Sequence, residues 1–394
     1  MKVLYIWDAD YPWDIRVEKI CQALASQGLE MHIAARNLKK KPVREVSNVA
    51  TIHRLPVWRS DRLNYFLSFP LFCSPIWARF LDRVIEQEGI NLLIVRDLPM
   101  AIAAIWAGRR ANCPVIFDMA EDYVAMIRDI WRESKFKGLN LLVRNPYLAK
   151  YIADYTFKRV DHTIIVVDEA LDAVCKSGGD IKDVTIVSNT PRLAQFDLKK
   201  NSDELPCFNE IRADDAVIYT GGLQMPRGLQ LVISAIPELL KEIPDFQFVV
   251  IGAGYGERTL KKMAKDLGVE NHVLWVGWVN HEDLFHYIKK CKAGIIPHFS
   301  SEHVDTTIPN KVFDYMGCGI PVIASDARPL KRLMSETQAG LTFKSGDVVD
   351  LASTVLKVFR SNEPFGSNGK LAVQKQYNWK KDEERLKSVI DRFR

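Results

Sequence analysis

Short β-branched runs alternate with longer helical patterns along almost the whole 394-residue chain. The runs are nearly continuous in Val and Ile, which is typical of strands covered on both faces. Such alternation indicates βαβ units and parallel sheets, so the sequence predicts an α/β fold. The predicted strands are residues 2–7, 31–36, 91–97, 114–119, 162–167, 184–189, 216–221, 246–252, 272–278, 293–298, 321–325 and 340–343.

A polar segment between the two halves of the chain predicts a domain boundary. It has no clear hydrophobic period and contains Pro191 and Pro206, as interdomain linkers commonly do. The chain is also too long for one ordinary core, and its apolar content of 47% suffices for two. We predict a first domain over 1–190, a linker over 191–214, a second domain over 215–375 and an amphipathic C-terminal helix over 376–394.

Composition argues against several classes of protein. The formal net charge of +5 is small for this length, and no Lys/Arg run reaches the density expected of a nucleic-acid-binding protein. The seven cysteines form no CxxC pair, which favours reduced thiols in the cytoplasm over a disulfide or zinc framework. The longest apolar stretch, 63–80, contains two prolines and is shorter than the roughly 20 residues of a membrane span.

Basic residues within 36–44 follow the second predicted strand, and an aromatic stretch covers 58–80. Together they predict peripheral contact with an anionic membrane, at its inner face, although a basic loop of this kind is more often simply solvated.

Residues 306–325 place polar side chains on one arc of a predicted helix. Thr306 and Thr307 are suitable N-cap residues, and Pro309 is tolerated only in the first turn, so we expect the helix to begin near residue 308. Free backbone N–H groups there, with Lys311 one turn in, would bind phosphate. Asp314 lies on the same arc and would accept hydrogen bonds from ribose hydroxyls. The alternative is an ordinary amphipathic helix with a solvated face.

Two glycine-rich turns follow strands in the second half. Gly221 and Gly222 precede Arg227, and a glycine turn followed by a cation at a helix start suits a diphosphate, although the signal is weak alone. Gly252 and Gly254 belong to a turn that lacks the third glycine of the dinucleotide fingerprint, which disfavours a nicotinamide oxidoreductase.

Acidic residues cluster after one strand of the first half. Asp118, Glu121 and Asp122 would act as a base, bind hydroxyls or cap the next helix. Metal ligation has little support, because His298 and His303 have no evident third ligand and no HExxH motif occurs.

In chain order, four segments resemble the retaining, nucleotide-sugar-dependent glycosyltransferases of family four, in the branch that carries a PNK motif. These segments are residues 219–236, 248–264, 273–299 and 307–326. The resemblance covers nearly the whole chain and implies the GT-B architecture, with two facing Rossmann-like doubly wound domains and a C-terminal helix that returns to the first domain. It also implies transfer from a nucleoside-diphosphate sugar to a hydroxyl acceptor, without metal or other cofactor, in polysaccharide, lipopolysaccharide or other glycoconjugate assembly.

The same resemblance assigns site residues. The catalytic residues it implies are Arg227 and Lys311, which would grip the diphosphate, and Glu121, beside Ala120 where the family often has a histidine. The implied donor contacts are Gly221, Gly222, Gly252, Gly254, Val279, Thr306, Ile308, Pro309, Asn310 and Asp314. The implied acceptor-side residues are Asp14, Arg16 and Asp118, for a carbohydrate or lipid-linked acceptor.

Two departures from the family pattern leave alternatives open. Of the two carboxylates that hold the donor, one is retained in shorter form as Asp314 and the other is replaced by Thr306. With Ala120, this replacement admits a catalytically silent relative that binds a nucleotide or a partner enzyme. A sugar-nucleotide epimerase on the same architecture is a further alternative.

Overall fold

The computed structural model describes residues 1–394 except 13, 59, 70–71, 73, 134–143 and 198–203. The chain forms two compact units, Met1–Asn189 with Asp382–Arg394, and Thr190–Lys381. Part of the predicted linker and part of the aromatic stretch 58–80 lie outside the described residues. The described part of the linker contains short 3₁₀ turns at Leu193–Phe196, Phe208–Glu210 and Ala213–Asp215.

The first unit contains an eight-stranded sheet in the order β3-β4-β2-β1-β5-β6-β7-β8, parallel except for the β3–β4 pair. Its strands are β1 (Lys2–Asp10), β2 (Glu30–Arg36), β3 (Arg44–Val46), β4 (Thr51–Arg54), β5 (Leu92–Arg96), β6 (Val115–Met119), β7 (His162–Ile165) and β8 (Val184–Ile186). Its helices are α1 (Ile15–Ser26), α2 (Asp61–Leu67), α3 (Pro75–Glu88), α4 (Ala101–Ala111), α5 (Tyr123–Glu133), α6 (Pro146–Phe157) and α7 (Leu171–Lys176).

The second unit contains a six-stranded parallel sheet in the order β11-β10-β9-β12-β13-β14. Its strands are β9 (Ala216–Thr220), β10 (Gln247–Ile251), β11 (Val273–Gly277), β12 (Ala293–Ile296), β13 (Val322–Ser325) and β14 (Gly340–Phe343). The helices that follow β9 are α8 (Leu229–Leu239), α9 (Glu257–Asp266), α10 (His281–Lys290), α11 (Lys311–Cys318), α12 (Arg328–Thr337), α13 (Val348–Arg360), α14 (Phe365–Lys375) and α15 (Trp379–Asp391).

Helices cover both faces of the sheets, and this explains the continuous apolar runs. In β9, the successive residues Val217, Ile218 and Tyr219 point to alternate faces and are all fully buried. Burying one such side chain contributes about 1.5–3 kcal/mol. All twelve strands predicted from the sequence are present, whereas β3 and β4 were not predicted because neither contains a Val/Ile run.

Each sheet has a point at which the strand order reverses direction. In the second unit the order corresponds to 3-2-1-4-5-6, and the reversal lies between β9 and β12; in the first it lies between β1 and β5. Ligands of open α/β sheets bind outside the carboxyl ends of the strands at such switch points. These two sheet edges are therefore the places to examine for a site. Within the described part of the chain, no helix has the length and apolarity needed to cross a bilayer.

Candidate functional site

Lys311 lies at the switch point of the second sheet, as the first residue of α11. Its Nζ is 3.7 Å from the centroid of the Tyr219 ring at the end of β9, a distance at which the ring face attracts a cation. A Cβ placed on Gly221 would lie 2.9 Å from Nζ. The glycine therefore leaves the space that the ammonium group occupies.

Arg227 reaches the same edge from a different loop. It ends the short turn Met225–Arg227, and the next residue, Gly228, has φ +76°. A Cβ on Gly228 would lie 1.7 Å from the carbonyl oxygen of Pro297, just after β12. Only glycine permits this close approach, which fixes the Arg227 loop against the carboxyl end of β12 while its side chain stays exposed.

His298, two residues after β12, is a third nitrogen-bearing group at this edge. Its side chain is buried, and its Nε2 has no hydrogen-bond partner among the described residues. Burial, together with the charges of Lys311 and Arg227, holds the pKa of His298 well below its ordinary value. A buried ring nitrogen without a partner is rare in folded proteins. The sequence had suggested His298 only as a weak metal ligand, although its place directly after a strand was a usable signal.

The electrostatics of this cluster favour an anion. Burial and the neighbouring Arg227 hold the pKa of Lys311 well below its ordinary value, against the attraction of Asp314. Positive charge crowded into a partly desolvated edge is costly without a negative partner. A bound anion would offset that cost, so this edge can act as an anion receptor.

The start of α11 differs from the prediction. The N-cap is Asn310, which makes no side-chain cap bond, and Thr306 is buried with its hydroxyl donating to the His303 carbonyl oxygen at 3.0 Å. The prediction that Thr306 and Thr307 cap this helix is therefore wrong. The turn closes instead through a bond of 3.1 Å from the Val312 N–H to the Pro309 carbonyl, which moves the helix start to Lys311.

Four of the remaining predicted donor residues lie next to this helix start. Ile308 is buried, Pro309 and Asp314 are half-buried, and Asn310 is exposed. Val279 is half-buried in the loop after β11.

Gly252 and Gly254 pack against the loop that follows β9. A Cβ on Gly252 would lie 1.9 Å from the Gly221 carbonyl oxygen, and one on Gly254 would lie 2.7 Å from the Leu223 nitrogen. The Gly221 N–H donates to the Ile251 carbonyl at 2.9 Å. Backbone-to-backbone packing therefore requires glycine at both positions. Gly222 lies in the same loop, where its carbonyl accepts the Tyr219 hydroxyl at 2.9 Å.

The carboxyl edge of the first sheet is organised around a buried ion pair. Arg16 Nε lies 3.1 and 3.0 Å from the two carboxylate oxygens of Asp118, and its Nη1 donates to the Val187 carbonyl at 3.0 Å. The Tyr5 hydroxyl donates to Asp118 Oδ2 at 2.6 Å. Burial alone would raise the pKa of Asp118, but Arg16 and Tyr5 hold it below its ordinary value. Arg16 and Asp118 are thus occupied with each other and almost inaccessible.

The other acidic groups of this edge are also engaged. Asp14 caps α1 and pairs with Arg96. Asp97, which the sequence reasoning missed, accepts the N–H groups of Ala120 and Glu121, each at 3.0 Å. Burial raises the pKa of Asp97 well above its ordinary value, although Arg96 opposes this. This bonding orders the segment that carries Glu121.

Asp122 completes the predicted acidic group. Its Oδ1 accepts the Ala125 N–H at 3.0 Å, so it caps α5. This is the capping interpretation that the sequence left open for Asp122.

Two family models match the chain, one for each half. The model described as "Glycosyl transferase 4-like domain" matches residues 14–190, and the model described as "Glycosyl transferases group 1" matches residues 214–361. The chain belongs to the family-four type of glycosyltransferases. The site at β9, β12 and α11 thus lies in the part of this glycosyltransferase that the group 1 model covers.

Curated relatives of this glycosyltransferase are distant. An uncharacterized glycosyltransferase of Methanocaldococcus jannaschii is 20% identical over 266 residues, covering 66% of this chain and 65% of the relative. A phosphatidyl-myo-inositol mannosyltransferase of Mycobacterium leprae is 24% identical over 172 residues, covering 43% of this chain and 44% of the relative. The matches thus span less than two thirds of the length of either relative.

Solved structures support the GT-B fold of this glycosyltransferase. Sucrose-phosphate synthase from Thermosynechococcus elongatus has a TM-score of 0.77 at 16% identity, covering 99% of this chain and 98% of that one. HepE from Anabaena, in complex with UDP-glucose, has a TM-score of 0.71 at 15% identity and covers 100% of both chains. The predicted fold class, with its Rossmann-like domains and C-terminal helix, is confirmed.

Proposed function

We propose that this protein transfers a sugar from a nucleoside-diphosphate sugar to a hydroxyl acceptor, with retention of anomeric configuration, in glycoconjugate assembly. The observation that carries the proposal is the cluster of Lys311, Arg227 and His298 at the switch point of the second sheet. A nucleoside diphosphate is an anion of the class that such a cluster would bind.

The proposed mechanism follows from the charge that develops during the reaction. Breaking the sugar–phosphate bond builds negative charge on the departing diphosphate. Lys311, Arg227 and an N–H of His298 would stabilise that charge more in the transition state than in the ground state. These side chains supply the stabilisation themselves, so we propose that no metal is required.

The remaining donor contacts are proposed by position. Asp314, one turn into α11, would accept hydrogen bonds from the ribose hydroxyls, and the backbone near Val279 would meet the base. Glu121 is the proposed catalytic residue of the first unit. Arg16 and Asp118 are proposed as positioning residues, since their buried ion pair holds β6 and α1 in place.

Relatives support nucleotide sugars as donors but do not agree on one. HepE is described in complex with UDP-glucose, whereas a Corynebacterium glutamicum relative is named as a GDP-mannose-dependent mannosyltransferase. Several relatives act on phosphatidylinositol-linked acceptors by name. We propose a carbohydrate or lipid-linked acceptor for this protein.

The test has two stages. A thermal-shift screen of UDP, GDP, ADP and dTDP and their sugars should identify a ligand that raises the melting temperature, because a ligand that binds only the native state stabilises it. Release of that nucleoside diphosphate should then depend on an added acceptor, and NMR of the product should show the anomeric configuration of the donor. Failure of every donor to bind or react would overturn the proposal.

A catalytically silent relative is the second candidate. The observation that favours it is Thr306, whose hydroxyl is turned back onto the preceding carbonyl groups where the family has a carboxylate. This candidate predicts tight nucleotide binding without turnover over the acceptor panel. Acceptor-dependent release of the nucleotide would exclude it.

We also propose peripheral contact of the first unit with an anionic membrane. Leu63, Tyr65 and Phe66 on α2 are exposed, and Lys40 pairs with Asp61 at the start of the same helix. Arg36 does not contribute, because it is buried and donates to the Tyr65 carbonyl at 2.8 Å. Replacing Phe66 by Gln should reduce sedimentation with phosphatidylglycerol vesicles; unchanged sedimentation would count against the contact.

A further inference from the structure

A cluster of potential metal ligands lies in the first unit, away from the residues assigned above. His32 on β2, His53 on β4 and Glu88 at the end of α3 each offer one ligand atom, and these atoms all lie within 4.8 Å of one another. His32 Nδ1 is 3.1 Å from His53 Nε2, which is 3.8 Å from Glu88 Oε1. Three separate elements thus converge on one point.

The strand register explains why the two imidazoles meet. In the parallel β2–β4 pair, His32 is opposite Thr51, and Ala34 is opposite His53. Residues two apart on a strand share a face, so the two histidines lie diagonally on the same face of the sheet. Their rings are stacked with centroids 5.3 Å apart. The small side chain of Ala34 leaves room for this arrangement.

Glu88 reaches the histidines because α3 ends there. Gly89, in the left-handed conformation at φ +67°, terminates the helix, and the chain then enters β5 at Leu92. The carboxylate is therefore held near the amino end of β5. Asp118, near the carboxyl end of β6, and Glu121, just after that strand, lie toward the opposite edge of the sheet.

The ligand set fits a divalent transition metal. Zn²⁺ binds imidazole nitrogen and carboxylate oxygen at about 2.0–2.2 Å, which places tetrahedral ligands about 3.3 Å apart. The distance from His53 Nε2 to His32 Nδ1, 3.1 Å, and its distance to Glu88 Oε1, 3.8 Å, lie on either side of that value. Two imidazoles and one carboxylate also form a known three-ligand zinc set that leaves a fourth position for water.

Neighbouring groups support this ligation. Glu30 Oε1 lies 3.2 Å from His32 Nε2, which fixes that nitrogen as the hydrogen-bonding one and turns Nδ1 toward His53. Carboxylate–histidine contacts of this kind orient metal ligands. Arg44 Nε donates to Glu88 Oε1 at 3.3 Å. Both imidazoles are buried, and neutral imidazole is the form of histidine that binds metals.

We propose that His32, His53 and Glu88 form a binding site for a divalent transition metal, with Zn²⁺ as the best fit, and that the bound metal clamps β2, β4 and α3 together. This site is independent of the proposed transferase reaction, because its ligands include none of the residues assigned to that reaction. In the metal-free protein the same two imidazoles share a hydrogen bond.

The test is direct metal binding by the full chain after chelator treatment and dialysis. Isothermal titration with ZnCl₂ should give one site per chain, and Co²⁺ in its place should give the visible absorption of a tetrahedral nitrogen–oxygen site. Zn²⁺ should also raise the melting temperature of the wild-type protein. Zinc binding that is absent, or too weak to shift the melting temperature at millimolar Zn²⁺, would overturn the proposal.

Variants separate this site from adventitious binding. Glu88→Gln and His53→Gln should each weaken Zn²⁺ about a hundredfold or more, since even an outer-shell change costs about 10–100-fold. Glu86→Gln is the matched control, because Glu86 is exposed on the same helix, and its Zn²⁺ affinity should equal that of the wild type. If His53→Gln fails to fold, Glu88→Gln at the helix end decides; wild-type affinity in it would overturn the proposal.

Discussion

The two sheets share a Rossmann-like strand order, yet the charged side chains at their switch points differ: those of the first neutralise each other, and those of the second leave excess positive charge. In the first unit, Arg16 and Asp118 neutralise each other within the fold. In the second, Lys311 and Arg227 crowd positive charge beside His298, whose Nε2 has no partner among the described residues. The same topology can therefore carry either a self-contained ion pair that stabilises the unit or a cationic edge, for which we propose an external anion as the partner.

The largest effect is expected from breaking the buried ion pair of the first unit. Asp118→Ala would leave the Arg16 guanidinium buried without its carboxylate, which typically costs about 3–5 kcal/mol of unfolding free energy. Urea denaturation measures this loss. The control is Asp82→Ala, which breaks an exposed pair with Arg110 and should cost about 0–1 kcal/mol. Equal losses of unfolding free energy in the two variants would mean that the buried ion pair stabilises the protein no more than the exposed one does.

The next largest effect is expected from removing a positive charge at the switch point of the second unit. Lys311→Ala should slow sugar transfer about a hundred- to a thousandfold, because one oxyanion-stabilising donor is worth about 3–4 kcal/mol. The melting temperature without nucleotide should not fall, since an ammonium group crowded against Arg227 and partly desolvated is a cost in the empty protein. Steady-state rates with a saturating acceptor measure the effect, and Lys331→Ala, at an exposed position of α12, should retain the wild-type rate.

Arg227→Ala should act in the same direction, with turnover reduced about a hundredfold. Its side chain is exposed in the empty protein, so urea denaturation should detect no change in stability. Arg258→Ala, at an exposed position of α9, serves as the control for loss of one arginine charge in the same unit. Wild-type turnover in both Arg227→Ala and Lys311→Ala would exclude the proposed role of this edge.

A smaller effect is expected at the buried histidine. His298→Phe keeps a ring of similar size but removes the Nε2 group, so nucleoside diphosphate should bind about tenfold more weakly, as expected for one lost hydrogen bond to a charged group. The parent nucleoside, which lacks phosphate, should bind as it does to the wild type. If the affinities for nucleoside and nucleoside diphosphate fall equally, His298 shapes the pocket without contacting the phosphates.

The smallest expected effect is a linked protonation. The pKa of Lys311 is depressed in the empty site, and a bound diphosphate favours the protonated form, so binding should take up protons and weaken as pH rises through the depressed value. Calorimetry in buffers of different ionisation enthalpy measures this uptake. It should be smaller in Lys311→Ala, and equal uptake in that variant would assign the proton elsewhere.

Local patterns in the sequence predicted the strands and the polar arc of α11, because alternation and helical periodicity are properties of neighbouring residues. The partnership of Arg16 with Asp118 was not predictable, since 102 residues separate them. His298 was undervalued for the same reason, because its neighbours Lys311 and Arg227 come from other loops. The predicted N-cap of α11 was wrong because the Thr306 hydroxyl donates to the His303 carbonyl oxygen instead of accepting an N–H group of the helix.

The second switch point is proposed to bind the diphosphate through its cationic side chains, Lys311 and Arg227. Calorimetry should compare the best-binding nucleoside diphosphate from the thermal-shift screen with its parent nucleoside, in the wild type and in the double variant Lys311→Ala, Arg227→Ala. We predict that the wild type prefers the diphosphate about a hundredfold or more and that the double variant loses most of this preference. An undiminished preference in the double variant would contradict the account.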